Sequence, residues 1–245
     1  MARYRIALIN PNTTESMTAS MTEVARSVAG PDVQIDPFSA KTGPAAIESH
    51  VDEAYAAVSV VEIVGEHPDY DAYIVACASD PGLFAARELV TAPVVGIGEA
   101  AFHAASMLGR RFVVMTTIPR DITPALDRIE ALGLRALCAG VVAAEVTVLD
   151  TGAQNLSGVE RMIAIGREAL EQLEAEVIVL GCGGMADTVG AMARALGVPV
   201  VDGVAAATVA AEGLLRCGLR TSKRSSFAWP ERIEYSGVPA PSGSP

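Results

Sequence analysis

An internal repeat is the feature that most constrains the fold of this chain of 245 residues. Three landmarks occur twice: the ends of two strand-like runs and the start of a Pro-Val-Val triplet. They are the pairs Asn10 and Thr116, Cys77 and Cys182, and Pro93 and Pro199, separated by 106, 105 and 106 residues. Because the three pairs share one spacing to within a residue, the sequence predicts two copies of one structural unit.

Each copy has the pattern of an α/β fold. Short β-branched runs alternate with longer Ala-rich helical segments, which is typical of βαβ units around a parallel sheet. The eight predicted strands are residues 4–9, 33–36, 72–76, 93–97, 112–115, 135–142, 177–180 and 199–201. Two turns predict helix starts: Asn12 and Glu15 form a capping pair, and Asp80 before Pro81 is an N-cap followed by proline.

We therefore expect two similar Rossmann-like parallel-sheet lobes related by pseudo-twofold symmetry, with the active or binding site in the cleft between them. The first lobe comprises residues 1–101 plus about 210–235, and the second comprises residues 102–209. The last ten residues, 236–245, are rich in Pro, Gly and Ser and predict an extended tail.

The charge balance and the apolar pattern exclude several classes of partner. The chain has 18 Lys and Arg against 29 Asp and Glu, a net charge of −11, and no basic cluster interrupts the acidic excess. Nucleic-acid and anionic-membrane binding are therefore not expected. No apolar run reaches the ~20 residues of a membrane span, and a short strand stands where a secretory signal would place about 7–15 apolar residues. We expect a cytoplasmic protein that binds a small molecule.

The sequence gives little support to a metal or a cofactor. The four cysteines and three histidines lack the spacing of a metal site. Neither Lys41 nor Lys223 ends a predicted core strand, where pyridoxal phosphate would need its Schiff-base lysine. Residues 96–101 nominally fit the dinucleotide pattern G-x-G-x-x-A, yet Glu99 would face the pyrophosphate. We therefore expect neither a metal nor a cofactor.

Cys77 and Cys182 each close a predicted strand, immediately before a loop that leads into a helix. Ligands of parallel sheets bind beyond these strand ends, so the two thiols would approach a shared cleft from opposite sides. The partial charge of a helix N-terminus would lower the pKa of a thiol from about 8.5 toward neutrality, so that one thiolate and one thiol coexist. Such a pair can remove a proton from one face of a substrate and return one to the other. Cys138 and Cys217 are expected to be small hydrophobes.

With both thiols placed, the flanking motifs resemble the hydantoin racemase branch of the Asp/Glu racemase superfamily. The resemblance covers nearly the whole chain. Its motifs are INPNT (9–13), SAKTGP (39–44), CASDPGL (77–83), PVVGIGEAA (93–101), GCGGM (181–185) and PVVDG (199–203). It implies cofactor-independent inversion at C5 of 5-monosubstituted hydantoins, or of the relative allantoin, by a cysteine pair. It also implies a homo-oligomer.

The resemblance assigns Cys77 and Cys182 as the acid/base pair. It also assigns five ring contacts: Asn10, Ser79, Thr116, Thr117 and Gly183. Hydroxyls and loop N–H groups at strand ends could stabilise the enolate that forms when the C5 proton leaves, although turn or cap chemistry also explains Asn10 and the two threonines. The family commonly has an aromatic residue at Ala78 and Ala at Gly183. We therefore expect Ala78 to leave a roomier pocket with a different substrate preference.

Several other functions are left open by the sequence. Free amino-acid racemases of the superfamily typically show Cys-Asn-Thr and Gly-Cys-Thr motifs, which this chain lacks. One-cysteine decarboxylases and cis–trans isomerases use the same cleft with different bases, and the two cysteines favour racemisation over both. Two α/β lobes around a cleft also describe non-catalytic solute-binding proteins, although these are usually secreted.

Overall fold

The computed structural model describes residues 3–231, so the predicted extended tail, residues 236–245, lies outside the described part. Two four-stranded parallel sheets form the framework. The strands of the first sheet are β1 (Tyr4–Asn10), β2 (Val33–Ser39), β3 (Ala72–Val75) and β4 (Val94–Gly96). Those of the second are β5 (Phe112–Thr116), β6 (Cys138–Ala143), β7 (Val177–Leu180) and β8 (Val200–Asp202).

The two sheets share one topology. Their strand orders are β2-β1-β3-β4 and β6-β5-β7-β8, which are the same order in two copies. The register repeats as well, since Ile9 pairs with Val75 and Met115 pairs with Leu180. All eight predicted strands are present, and the α/β prediction of two similar parallel-sheet lobes is confirmed. The outer strand β6 begins three residues later than predicted because a turn closes from Leu137 N–H to the Leu134 carbonyl at 2.9 Å.

Eight α-helices connect and cover these strands within residues 3–231. They are α1 (Glu15–Val28), α2 (His50–Glu66), α3 (Leu83–Leu89), α4 (Ile97–Leu108), α5 (Ile122–Ala131), α6 (Leu156–Gln172), α7 (Val189–Leu196) and α8 (Gly203–Arg216). None of the described helices is long and apolar enough to cross a bilayer.

Both predicted helix caps are wrong. The N-cap of α1 is Thr14, and Asn12 instead accepts a hydrogen bond from the Thr14 N–H at 2.9 Å. The N-cap of α3 is Gly82, whose φ of +70° is a left-handed conformation that glycine adopts without strain. Asp80 therefore does not cap α3, because the turn between Asp80 and Gly82 delays the helix start to Leu83.

Each sheet is buried on both faces, as expected for parallel strands between helices. One face of the first sheet packs against α2 and α3, and the other packs against α1 and α8. One face of the second sheet packs against α6 and α7, and the other packs against α4 and α5. The result is two three-layer units that share helices.

The lobes exchange one helix each. Helix α4 follows β4 of the first sheet, yet its Phe102 and Ala105 pack with Phe112 of the second sheet. Helix α8 follows β8 of the second sheet, yet its Val204 and Ala207 pack in the core of the first sheet. The chain thus crosses between the cores at the starts of α4 and α8. The lobe division of 1–101 plus about 210–235 and 102–209 stays a prediction.

The exchange predicts that buried residues of α4 stabilise the second lobe. We expect Phe102→Ala to lower the free energy of unfolding by about 3–5 kcal/mol, because it opens a cavity against Phe112. Met107 lies on the same helix with 80% of its surface exposed, so Met107→Ala should change it by no more than about 0.5 kcal/mol. Equal midpoints for the two variants in urea denaturation would contradict this packing.

Candidate active site

The carboxyl ends of the two central strand pairs border a single cavity of about 300 Å³. The first lobe contributes the backbone and side chains of residues 76–79, which follow β3. The second lobe contributes Thr116 and Thr117 after β5, and residues 181–183 after β7. Both predicted cysteines, Cys77 and Cys182, line this cavity, one from each copy of the repeat.

Cys77 lies in a tight loop directly after β3. Its carbonyl accepts a hydrogen bond from the Asp80 N–H at 2.9 Å, and its Sγ lies 3.4 Å from the Ser79 hydroxyl. Burial raises the pKa of the Cys77 thiol, whereas the Ser79 hydroxyl and the positive charge of Arg128 act in the opposite direction. Burial is the larger effect, so the pKa of this thiol lies above its ordinary value.

Cys182 begins a 3₁₀ turn over residues 183–188. Burial raises the pKa of its thiol to about 12, even though the Gly184 N–H and the Thr151 hydroxyl favour the thiolate. The expectation that a helix N-terminus lowers the pKa of these thiols toward neutrality is therefore wrong. No α-helix begins at either cysteine, since α3 starts at Leu83 and only a short 3₁₀ turn follows Cys182. Desolvation is the larger effect at both sites.

Five further predicted site residues line the cavity: Ala78, Ser79, Thr116, Thr117 and Gly183. The Thr116 and Thr117 hydroxyls both donate toward the Asp121 carboxylate, at 3.4 and 3.1 Å. A Cβ at Gly183 would lie 2.6 Å from Met21 Sδ, so Met21 fills the space that an alanine would need.

Asn10 is not among the residues that line the cavity. Its side chain is fully buried, and its amide donates to Asn12 Oδ1 and Thr18 Oγ1, each at 2.9 Å. Asn10 therefore holds the loop after β1, while Asn12 of the same Asn-Pro-Asn motif borders the cavity. The cavity lining therefore includes Asn12 in place of the predicted Asn10, whose contact with a substrate ring stays a prediction.

Sequence reasoning missed a set of charged and polar residues on two opposite rims of the cavity. The first lobe contributes Glu48, Ser49, His50 and Glu53, at and before the start of α2; the second contributes Arg120, Asp121, Asp127 and Arg128, around α5. Two contacts join the lobes here: Glu48 Oε1 accepts from the Val148 N–H at 2.9 Å, and Arg128 Nη1 lies 3.6 Å from Glu53 Oε1. These residues follow no recognisable spacing, so only the fold brings them together.

Asp80 caps a helix, but the helix is α4. Its carboxylate accepts from the Gly98 and Glu99 N–H groups at 2.9 and 2.8 Å. A Cβ at Gly96 or Gly98 would collide with this carboxylate, so the two glycines permit its close approach. The segment that nominally fits a dinucleotide pattern thus binds the protein's own carboxylate. In residues 3–231 no group of three or more His, Cys, Asp or Glu side chains has a metal-binding arrangement.

Comparison with known proteins assigns the family. The model of the Asp/Glu/Hydantoin racemase family matches residues 6–211. This chain belongs to that family. It is 41% identical over 236 residues to a hydantoin racemase of Pseudomonas sp. (strain NS671), covering 96% of this chain and 95% of the relative. Its enzyme class is therefore that of a racemase, as the sequence predicted.

Two solved structures show the same architecture. An allantoin racemase from Klebsiella pneumoniae has a TM-score of 0.92 at 40% identity and covers 96% of both chains. An allantoin racemase from Pseudomonas fluorescens also has a TM-score of 0.92, at 37% identity, and covers 95% of this chain and all of its own. The two-lobe α/β fold is thus shared with racemases of known structure.

The burial of Asp80 predicts a pH effect on stability. Burial raises the pKa of Asp80 from 3.8 to about 7. Because the folded chain binds this proton more tightly than the unfolded chain, the contribution of Asp80 is complete below about pH 4 and is lost as the pH rises through about 7. We expect Asp80→Asn to remove this decline, measured as the free energy of unfolding in urea across that range. Asp69→Asn, at an exposed turn, should keep the parent slope; parallel slopes for the parent and Asp80→Asn would contradict the assignment.

Proposed function

We propose that this racemase inverts C5 of 5-monosubstituted hydantoins, without a cofactor, by proton transfer between Cys77 and Cys182. The observation that carries the proposal is the position of these residues at equivalent strand ends of two lobes, where both line one cavity. A base and an acid on opposite sides of a planar ring can invert its one stereocentre. The one-cysteine decarboxylases considered above would need only one of the two.

The proposed proton transfer needs one cysteine as a thiolate and the other as a thiol. The thiolate takes the C5 proton, the C5–H bond breaks, and the electron pair moves onto the C4 oxygen as an enolate. The other thiol then gives its proton to C5 from the opposite face and becomes the thiolate, ready to act on the other enantiomer. Burial, which raises the pKa of both thiols, makes each thiolate a strong base toward a weak carbon acid.

The residues around the thiols supply donors and acceptors that match a cyclic ureide. Since the Thr116 and Thr117 hydroxyls donate toward Asp121, their oxygens can accept hydrogen bonds from ring N–H groups. Ser79, which lines the cavity, and loop N–H groups after Cys77 and Cys182 would donate to ring carbonyl oxygens. This arrangement supports a neutral hydrogen-bonding ring more strongly than a zwitterionic amino acid.

Allantoin is the second candidate substrate. Its C5 substituent is a ureido group with both donors and acceptors, and the cavity rims carry both carboxylates and arginines. The similarity to two allantoin racemases of known structure supports this candidate. A cytoplasmic location and assembly into a homo-oligomer remain part of the proposal.

The cysteine pair is tested by isotope exchange. In deuterium oxide, Cys77→Ser and Cys182→Ser should each abolish net racemisation, because a serine hydroxyl is a poor acid and base near neutrality. Each variant should still exchange the C5 hydrogen of one enantiomer with retained configuration, and the two variants should act on opposite enantiomers. Polarimetry measures racemisation, and mass spectrometry of the separated enantiomers measures exchange.

Two matched controls complete this experiment. Cys217 is exposed and Cys138 is buried in the second-lobe core, away from the cavity, so Cys217→Ser and Cys138→Ser should racemise near the parent rate. Racemisation of both enantiomers at the parent rate by either cavity variant would refute the mechanism. A parent that racemises neither hydantoins nor allantoin would refute the proposed substrate class.

Ala78 is expected to set substrate preference. It lines the cavity beside Cys77, at the position where the family commonly has an aromatic residue. Ala78→Phe should change the relative kcat/KM of hydantoins with small and large C5 substituents by about 1–3 kcal/mol, the usual size of a pocket contact, and should favour the smaller ones. An unchanged ranking in a competition assay would show that Ala78 does not contact the substituent.

A further inference from the structure

Arg128 has a buried hydrogen-bond donor with no partner. Its Nε is the one buried side-chain nitrogen or oxygen that lacks a hydrogen bond among residues 3–231. The residue lies on α5 of the second lobe and lines the cavity. Its Nη1 lies 3.6 Å from Glu53 Oε1 on α2 of the first lobe. The guanidinium therefore reaches across the cleft from the second lobe to the first.

An unpaired buried donor is costly. Leaving such a group without a partner costs about 1–3 kcal/mol, more when it is charged, and native proteins pair most buried polar atoms. A guanidinium is always charged and presents five N–H donors in a fixed plane. Glu53 pairs with Nη1, whereas no acceptor among residues 3–231 pairs with Nε–H.

Arg128 lines the same cavity as Cys77 and Cys182. Its positive charge opposes the burial that raises the pKa of Cys77 in the first lobe and of Asp121 in the second. The other charged residues on the rims are mostly acidic, and the second arginine, Arg120, is exposed. Arg128 is thus the partly buried arginine among the residues that line this cavity.

We propose that Arg128 is a catalytic residue whose Nε–H donates to the substrate carbonyl oxygen that becomes negative when the C5 proton leaves, while Glu53 holds the guanidinium in place. This inference rests on the proposed function. A cation is needed there because proton abstraction builds enolate charge beside Asp121 and a thiol. A positioned donor of this kind acts mainly on the transition state, where the oxygen carries most charge.

Two substitutions separate the donor from the charge. Arg128→Gln removes both, and Arg128→Lys keeps the charge near Cys77 while losing the planar Nε–H. We expect Arg128→Gln to lower kcat by about 100-fold or more with little change in KM, as for loss of one oxyanion donor. Arg128→Lys should lower kcat by at least about 10-fold without moving either limb of the pH profile of kcat/KM, because the charge felt by Cys77 is kept.

Arg194 provides a control, because it is an exposed arginine on α7 outside the cavity. Arg194→Gln should therefore match the parent in kcat and KM.

The outcomes distinguish this inference from its alternatives. Parent activity in Arg128→Lys would show that charge alone matters and would overturn the donor role, as would a rise in KM at constant kcat. If Arg128→Lys shifts one limb of the pH profile of kcat/KM but reaches the parent maximum, Arg128 acts on the ionisation of Cys77. That result would also overturn the donor role. An inactive parent on both hydantoins and allantoin refutes the proposed function instead. If Arg128→Gln does not fold, by circular dichroism, Arg128→Lys gives the same decision because it keeps the charge and the aliphatic stem.

Discussion

The exchange of α4 and α8 between the two sheets is the packing arrangement on which the site depends. Proton transfer between groups on different lobes requires a fixed separation, and displacements of about 1 Å can cost 100-fold in rate. The two helices meet at their starts, where a Cβ at Gly203 would collide with Ile97. Glycine is required there because the backbones approach so closely. Each lobe thus contains a core helix of the other, which resists separation of the cleft.

Asp80 connects this crossing point to the chemistry. It is three residues after Cys77, and its carboxylate binds the first N–H groups of α4. A displacement of α4 would therefore move the loop that carries Cys77. The φ of Asp80 is +50°, a left-handed conformation that costs energy for a residue other than glycine. The hydrogen bonds to α4 offset this cost and keep the loop in one conformation.

Local sequence patterns predicted much of the fold, and long-range contacts account for what they missed. The alternation of β-branched runs with helical segments predicted the eight strands, and the shared spacing of three landmarks predicted the duplication. The position at strand ends predicted both cavity cysteines. The target of Asp80 could not be predicted, because its partners are 18 and 19 residues away across a turn. The contact of Glu48 with Val148 joins residues about 100 positions apart in sequence, and that of Arg128 with Glu53 joins residues about 75 positions apart. The sign of the thiol pKa shift failed for the same reason, since desolvation depends on the whole assembled cavity.

The duplication places two equivalent thiols in unequal surroundings. The Ser79 hydroxyl and the Arg128 charge favour the Cys77 thiolate, and Asp80 opposes it. The Gly184 N–H and the Thr151 hydroxyl favour the Cys182 thiolate, and Asp121 opposes it. Two enantiomers with one stereocentre have equal free energy in water, so kcat/KM must be the same in both directions whatever the enzyme does. The unequal surroundings of the two thiols can therefore make kcat and KM differ between the enantiomers only by the same factor. Suppose that the free enzyme carries the thiolate on Cys77 more often than on Cys182. The enantiomer that Cys77 deprotonates then binds the more populated form of the free enzyme. That enantiomer has the lower KM and, by the same constraint, the lower kcat.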